Sequence, residues 1–170
     1  SLGFTQFNGD ESQDVCFLAQ QDLASFLIEQ GLQEAQGDIV TTDDKVLGTH
    51  KGIWKYTVGQ RRGLGIPDAT PWYVVRLDAK KNQVIIGKNN ELLQTELSLS
   101  DMQWQLDVPT PWHGKVQLRS RHQAAAAKVF PGENGTWQVS FQEPQRAVTP
   151  GQFAVMYQEE TVVGSGIIIL

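Results

Sequence analysis

From Pro71 to Leu170 turn-forming residues interrupt the chain at short, even intervals, which leaves room only for short strands. "WYVVRLD" and "NQVIIGK" are two β-prone runs joined by the polar turn Ala79-Lys80-Lys81-Asn82. "LSLSDMQWQ" alternates apolar and polar residues and is bounded by Pro109 and Pro111. "GKVQLRSR", "AAAKVF", "TWQVSF", "FAVMY" and "TVVGSGIII" follow, separated by Pro131-Gly132, Asn134-Gly135 and Pro150-Gly151. About six short strands at this spacing predict a small closed antiparallel barrel of roughly 75 residues.

The first part of the chain reads differently. Phe17, Leu18, Leu23 or Ala24, Phe26 and Leu27 recur at helical spacing, and Gly31 offers a C-terminal stop. A helix is expected from Ala19 to Gln30. "GDIVTTDDKVLGTH" reads as a hairpin around Asp43-Asp44. The expected fold is therefore mainly β with a short N-terminal helix: a small α+β central domain, then a six-stranded antiparallel β-barrel. The polar stretch "NNELLQTE" places the boundary between Lys88 and Leu97.

Composition narrows the setting. No apolar run approaches the roughly 20 residues that cross a bilayer, and the opening "SLGFTQFNGD" has no basic leader. One cysteine cannot form an internal disulfide, so a cytoplasmic location is expected. Both ends read as if cut from a longer chain. The net charge of −5 disfavours a polyanion partner on average. The arrangement says otherwise. Residues 1–44 hold nine acids and no Lys or Arg, whereas residues 50–66 hold four basic residues and no acid.

That basic block, "HKGIWKYTVGQRRGLGI", interleaves Lys51, Lys55, Arg61 and Arg62 with Trp54 and Tyr56. Cations beside aromatic faces suit phosphates and unstacked bases, and glycines let backbone amides come close. The alternative is a solvated loop with ordinary surface charges. His50 reads as a satisfied loop histidine ahead of a phosphate contact or an acid–base group. In "LRSRHQ", strand alternation would put Arg119 and Arg121 on one face, either as a solvent-facing pair or as phosphate contacts. Three scattered histidines and one cysteine give no metal spacing. Trp72, Trp104, Trp112 and Trp137 read as core packing.

Cys16, in "SQDVCF", stands at the entry of the expected helix. It is either a small buried hydrophobe or a nucleophile whose thiolate is favoured by helix N-terminal amides and opposed by Asp14. The residues alone leave both readings open.

Taken in order, "SQDVCF", "GTHKGIWKYTVGQRRGLGI", "PWYVVRLDAKKNQVIIG", "AVTPGQFAVMY" and "GSGIII" closely resemble the C-terminal half of tRNA-specific 2-thiouridylases. The resemblance runs over essentially the whole chain, and H-x-G-x-x-x-x-T-x-G-Q-R-x-G-L-G-I is its most specific part. It implies an enzyme that replaces oxygen by sulfur at C2 of the wobble uridine of tRNA, after ATP with Mg²⁺ has activated the carbonyl oxygen. It implies that Cys16 carries persulfide sulfur, supplied by a sulfur-relay or cysteine-desulfurase protein. On this reading Lys51, Lys55, Arg61 and Arg62 are expected to position tRNA phosphates, with Gly59 and Gln60 shaping the loop and Arg119 and Arg121 as second-line phosphate contacts. The resemblance also implies an order of domains: residues 1–18 as the edge of a catalytic domain, 19–93 as the tRNA-binding domain, and 94–170 as the barrel.

The ATP-binding loop and a second cysteine belong to the family's N-terminal domain and are absent from this sequence, so the chain alone is expected to be inactive. Two alternatives differ in class: an RNA-binding module with a structural cysteine, and a module whose acidic first 44 residues dock a sulfur carrier. The sequence departs from the family where Ser120 replaces a tyrosine, where Ser165 interrupts a run of glycines, and at Ala124–Ala127. The Gly164-Ser165-Gly166 change is expected to adjust a turn or bulge.

Overall fold

The structure, a computed structural model, describes residues 23–120 and 123–169. The chain falls into two compact units, Ser1–Ala35 and Gln36–Leu170.

The first unit contains helix α1, Leu23–Glu29. Gly31, with φ +90, ends it as the spacing predicts. Its N–H donates to the Ile28 carbonyl at 2.9 Å, and the Leu32 N–H donates to the Leu27 carbonyl at 3.0 Å. This pair of bonds satisfies two carbonyls of the last turn, and a left-handed glycine makes it possible at no steric cost. The expected start at Ala19 lies outside the described residues.

The second unit begins with the expected hairpin, β1 (Gly37–Thr41) and β2 (Val46–His50). Asp44 takes φ +62 in its turn. β3 (Tyr73–Asp78) and β4 (Gln83–Gly87) form a second hairpin, in whose turn the Lys81 N–H donates to Asp78 Oδ1 at 3.0 Å. The two hairpins are one sheet of order β2-β1-β4-β3, because β1 runs parallel to β4 with Ile39 opposite Val84 and Thr41 opposite Ile86. A parallel pair needs a long crossover, and here β2, the basic loop and β3 supply it. Ile39, Val74, Val84 and Ile86 bury one face together with Leu64, which the loop contributes.

A single helical turn, Asn89–Leu92, separates this sheet from β5 (Leu93–Trp104). Strands β6 (Trp112–Gln117), β7 (Ala125–Pro131), β8 (Trp137–Arg146), β9 (Phe153–Gln158) and β10 (Thr161–Ile169) complete a closed six-stranded barrel of order β10-β5-β8-β7-β6-β9. Every adjacent pair is antiparallel. Inward positions alternate with outward ones, so Leu97 and Leu99, Val139 and Phe141, and Ala154 and Met156 share the core with Trp112. Trp104 packs against Trp112 and Trp137 with ring centroids 5.9 and 5.5 Å apart. Strand β10 bulges between Val162 and Gly164 against β9, and between Ser165 and Ile167 against β5. The interrupted glycine run thus lies at a bulge, as expected. A Cβ on Gly164 would come within 2.7 Å of the Trp104 ring.

Candidate nucleic-acid interface

The basic block follows β2 as a loop with one 3₁₀ turn, Ile53–Lys55. At its entry His50 is 3% exposed. The Gly52 N–H donates to His50 Nδ1 at 3.1 Å, which leaves Nε2 to donate to the Asn82 carbonyl at 3.1 Å. The imidazole therefore joins the start of the loop to the β3–β4 turn. A Cβ on Gly37 would stand 2.0 Å from the Asn82 oxygen and 2.7 Å from His50 Nε2, so that corner admits only glycine. Both ring nitrogens are committed, in agreement with the reading of His50 as a satisfied loop histidine.

Further along, the loop binds the outer edge of β3. The Gly59 N–H donates to the Val74 carbonyl at 2.7 Å, and the Val74 N–H donates to the Gln60 carbonyl at 2.9 Å. These bonds cover part of an edge strand that would otherwise present bare backbone groups. The Gln60 side chain closes the turn: its Oε1 accepts from the Thr57 N–H at 3.0 Å and its Nε2 donates to the Arg62 carbonyl at 2.9 Å. Gly59 has φ +87, and a Cβ there would lie 3.0 Å from that of Ala147 at the end of β8. The glycine is needed twice, for its conformation and for its contact with the barrel.

This framework leaves Lys51, Lys55, Arg61 and Arg62 exposed. Lys55 Nζ lies 5.0 Å from the centre of the Trp54 ring, a cation–π distance. Four exposed cations on a loop held in shape by the Gly52, Thr57, Gly59 and Gln60 amides and the Gln60 side chain form a surface suited to phosphates.

A second clasp secures the far end of the loop. Lys88 Nζ lies 2.6 Å from Asp68 Oδ2, 3.1 Å from the Thr70 carbonyl and 3.2 Å from the centre of the Trp72 ring. The Lys88 hydrogen bond, with help from backbone amides, holds the Asp68 carboxyl below the usual carboxylate range.

Arg119 is placed otherwise than strand alternation suggests. Strand β6 ends at Gln117, so Arg119 stands in the following turn. Its Nη2 donates to the Ala147 carbonyl and, at 2.9 Å, to Thr149 Oγ1, while Nε donates to Gln152 Oε1 at 3.3 Å. Burial first, and the neighbouring Arg146 charge second, lower its pKa. Nη1 takes no part in these bonds. Cys16 and Arg121 lie outside the described residues. Sequence reasoning passed over Arg146, whose guanidinium lies 5.1 Å from the Tyr73 ring and whose Nε donates to Asn89 Oδ1 at 3.2 Å. Its partners come from β3 and the helical turn, so no local pattern signals it.

Among the described residues, no three His, Cys, Asp or Glu side chains gather in a way that could hold a metal ion. No helix there is long and apolar enough to cross a membrane.

Two family models match the chain: a tRNA methyl transferase PRC-barrel domain over residues 25–88 and an aminomethyltransferase β-barrel domain over residues 94–168. The class is thus a PRC-barrel domain followed by an aminomethyltransferase-type β-barrel. A tRNA-specific 2-thiouridylase of Desulfotalea psychrophila is 48% identical over 98% of this chain and 49% of its own length. Those of Acetivibrio thermocellus and Nostoc punctiforme are 42% and 41% identical, over 98% and 93% of this chain and 47% and 46% of their own lengths. The chain belongs to the tRNA-specific 2-thiouridylase family and spans about half the length of the curated relatives it matches.

Proposed function

We propose that this chain is the tRNA-holding part of an enzyme that thiolates C2 of the wobble uridine. The observation that carries the reading is the set of outward cations Lys51, Lys55, Arg61 and Arg62 on a loop fixed by His50, Gln60 and the edge of β3. Residues 19–93 serve as the tRNA-binding domain and 94–170 as the supporting barrel. Arg119, through Nη1, and Arg121 are second-line phosphate contacts.

Cys16 receives persulfide sulfur from a relay or desulfurase protein, and its terminal sulfur attacks C2 as the activated oxygen leaves. A thiol from outside this chain then breaks the S–S bond, leaving a disulfide on Cys16 and 2-thiouridine; the motif "SQDVCF" supports this role. The described residues do not fit ATP. The left-handed glycines Gly59, Gly63 and Gly65 lead into β3 and not into a helix whose N-terminal amides could cradle phosphates. Carbonyl activation therefore belongs to the part of the relatives that this chain does not span, and no ATP step is assigned to these residues.

The test is filter binding to an anticodon stem-loop at several salt concentrations. Affinity is expected to fall steeply with salt, and Arg61→Glu/Arg62→Glu is expected to weaken binding at least tenfold and to flatten the salt slope by about two phosphate contacts. Salt-independent binding, or an unchanged slope in the variant, overturns the placement. Cys16→Ser in the full-length protein is expected to keep tRNA affinity and abolish thiolation; retained thiolation removes Cys16 from the reaction.

A further inference from the structure

Between the sheet and the barrel, inside the second compact unit, lies a cleft of about 420 Å³. Its apolar wall is formed by Val58 from the loop, Val75, Leu77 and Ile85 from the sheet, and Val148 from the barrel. Thr41, Thr42, Asp44, Thr57 and Thr149 add polar groups to the lining. Tyr56 and Gln94 line it, and among the described residues neither the Tyr56 hydroxyl nor the Gln94 amide has a hydrogen-bond partner. Arg76 stands at its edge, exposed. A cavity of this size that joins an apolar wall to uncommitted polar groups has the form of a small-ligand site.

The position of the cleft identifies the ligand. Tyr56 and Val58 belong to the short segment between Lys55 and Arg61, so one stretch of backbone carries phosphate-binding cations outward and the cleft wall inward. The cleft therefore lies within one short segment of the exposed cations, where bases of an RNA held by them would reach. An unstacked base presents a flat apolar face and a polar edge. Apolar side chains with one phenol match the face, and an amide that both donates and accepts matches the edge.

We propose that the cleft receives one unstacked nucleobase of the RNA whose backbone lies on the basic loop, with Gln94 reading its polar edge. The proposal rests on the RNA reading of the loop and adds a base-specific site to it. Base capture here would hold the anticodon loop in an opened form independently of the phosphates.

The experiment uses this chain and anticodon stem-loops carrying 4-thiouridine at one loop position at a time, irradiated and mapped by mass spectrometry. One loop position is expected to crosslink within residues 56–58 or at Gln94. Val58→Trp, which fills the cleft, is expected to abolish that crosslink and to weaken binding about tenfold. Gln94→Ala, on the barrel side, is expected to weaken binding about threefold with an unchanged salt slope, and circular dichroism checks that both variants fold. Salt-dependent binding with crosslinks confined to residues 51–55 and 61–62 overturns the base site and leaves the loop reading intact. Absence of binding at low salt overturns the loop reading and the base site together.

Discussion

The barrel and the sheet solve the same problem by different means. The barrel closes every strand edge and surrounds a large core centred on Trp112, so its shape is set by continuous ladders. The sheet is open, and its smaller core borrows Leu64 from the loop. The loop is held at separate points: the His50 latch, the Gln60 staple, the Gly59–Val74 bond and the Lys88 clasp. The same contrast governs the cations. Arg119 of the barrel spends Nε and Nη2 on internal acceptors, whereas Arg61 and Arg62 stand outward. The proposed RNA contacts lie where the scaffold is fixed at separate points, because there a long segment can turn charged side chains outward.

Four measurements test this contrast, beginning with the largest effect. Trp112→Ala is expected to cost about 3–5 kcal/mol, against about 2 kcal/mol for Val74→Ala in the sheet, by urea denaturation. Because both regions lie in one compact unit, one shared transition is expected; two transitions break the comparison at its base. Next, Gly37→Ala drives a methyl group into the Asn82 carbonyl and His50, and is expected to cost about 1–3 kcal/mol. It should loosen the loop more than the barrel, which hydrogen exchange of the Gly59 amide reports.

Arg119→Met removes the donor to Thr149 Oγ1 and one of the two donors to the Ala147 carbonyl, which the Thr149 hydroxyl still reaches at 3.0 Å, a loss of about 1–3 kcal/mol. Its effect on the salt slope of RNA binding should be smaller than that of the Arg61/Arg62 double variant. An equal effect would erase the distinction between inward and outward cations.

The smallest effect is acid-dependent. The Asp68 carboxyl is held below its unfolded value, so its contribution is present above the ordinary carboxylate pKa and is lost as pH falls through the lowered folded value. Thermal melting of Asp68→Asn should therefore fall slightly short of wild type near neutrality and converge with it in acid. Convergence as pH rises would contradict the clasp.

Much of the fold was legible in the sequence because strands have a period of two and their turns carry marked residues. Asn134 and Gly135 both adopt positive φ, the conformation their pairing foretells. The parallel pairing of β1 with β4 was not legible, since no local pattern says which edges of two hairpins meet. The site divides along the same line. The outward cations could be read from charge and glycine spacing within one segment. The tether made by Arg119 could not, because its acceptors lie in the Ala147–Gln152 segment, beyond two further strands. Nor could the cleft, whose walls are brought together only when sheet and barrel meet.

The parallel β1–β4 ladder has a consequence for folding. Its two partners flank the entire basic loop, so pairing them closes a long loop of chain before any ladder energy is gained. The hairpins are local, but the basic loop between them is fully framed only when that ladder closes. A nascent chain would acquire the final frame of its basic loop late, after β4 has emerged and found β1.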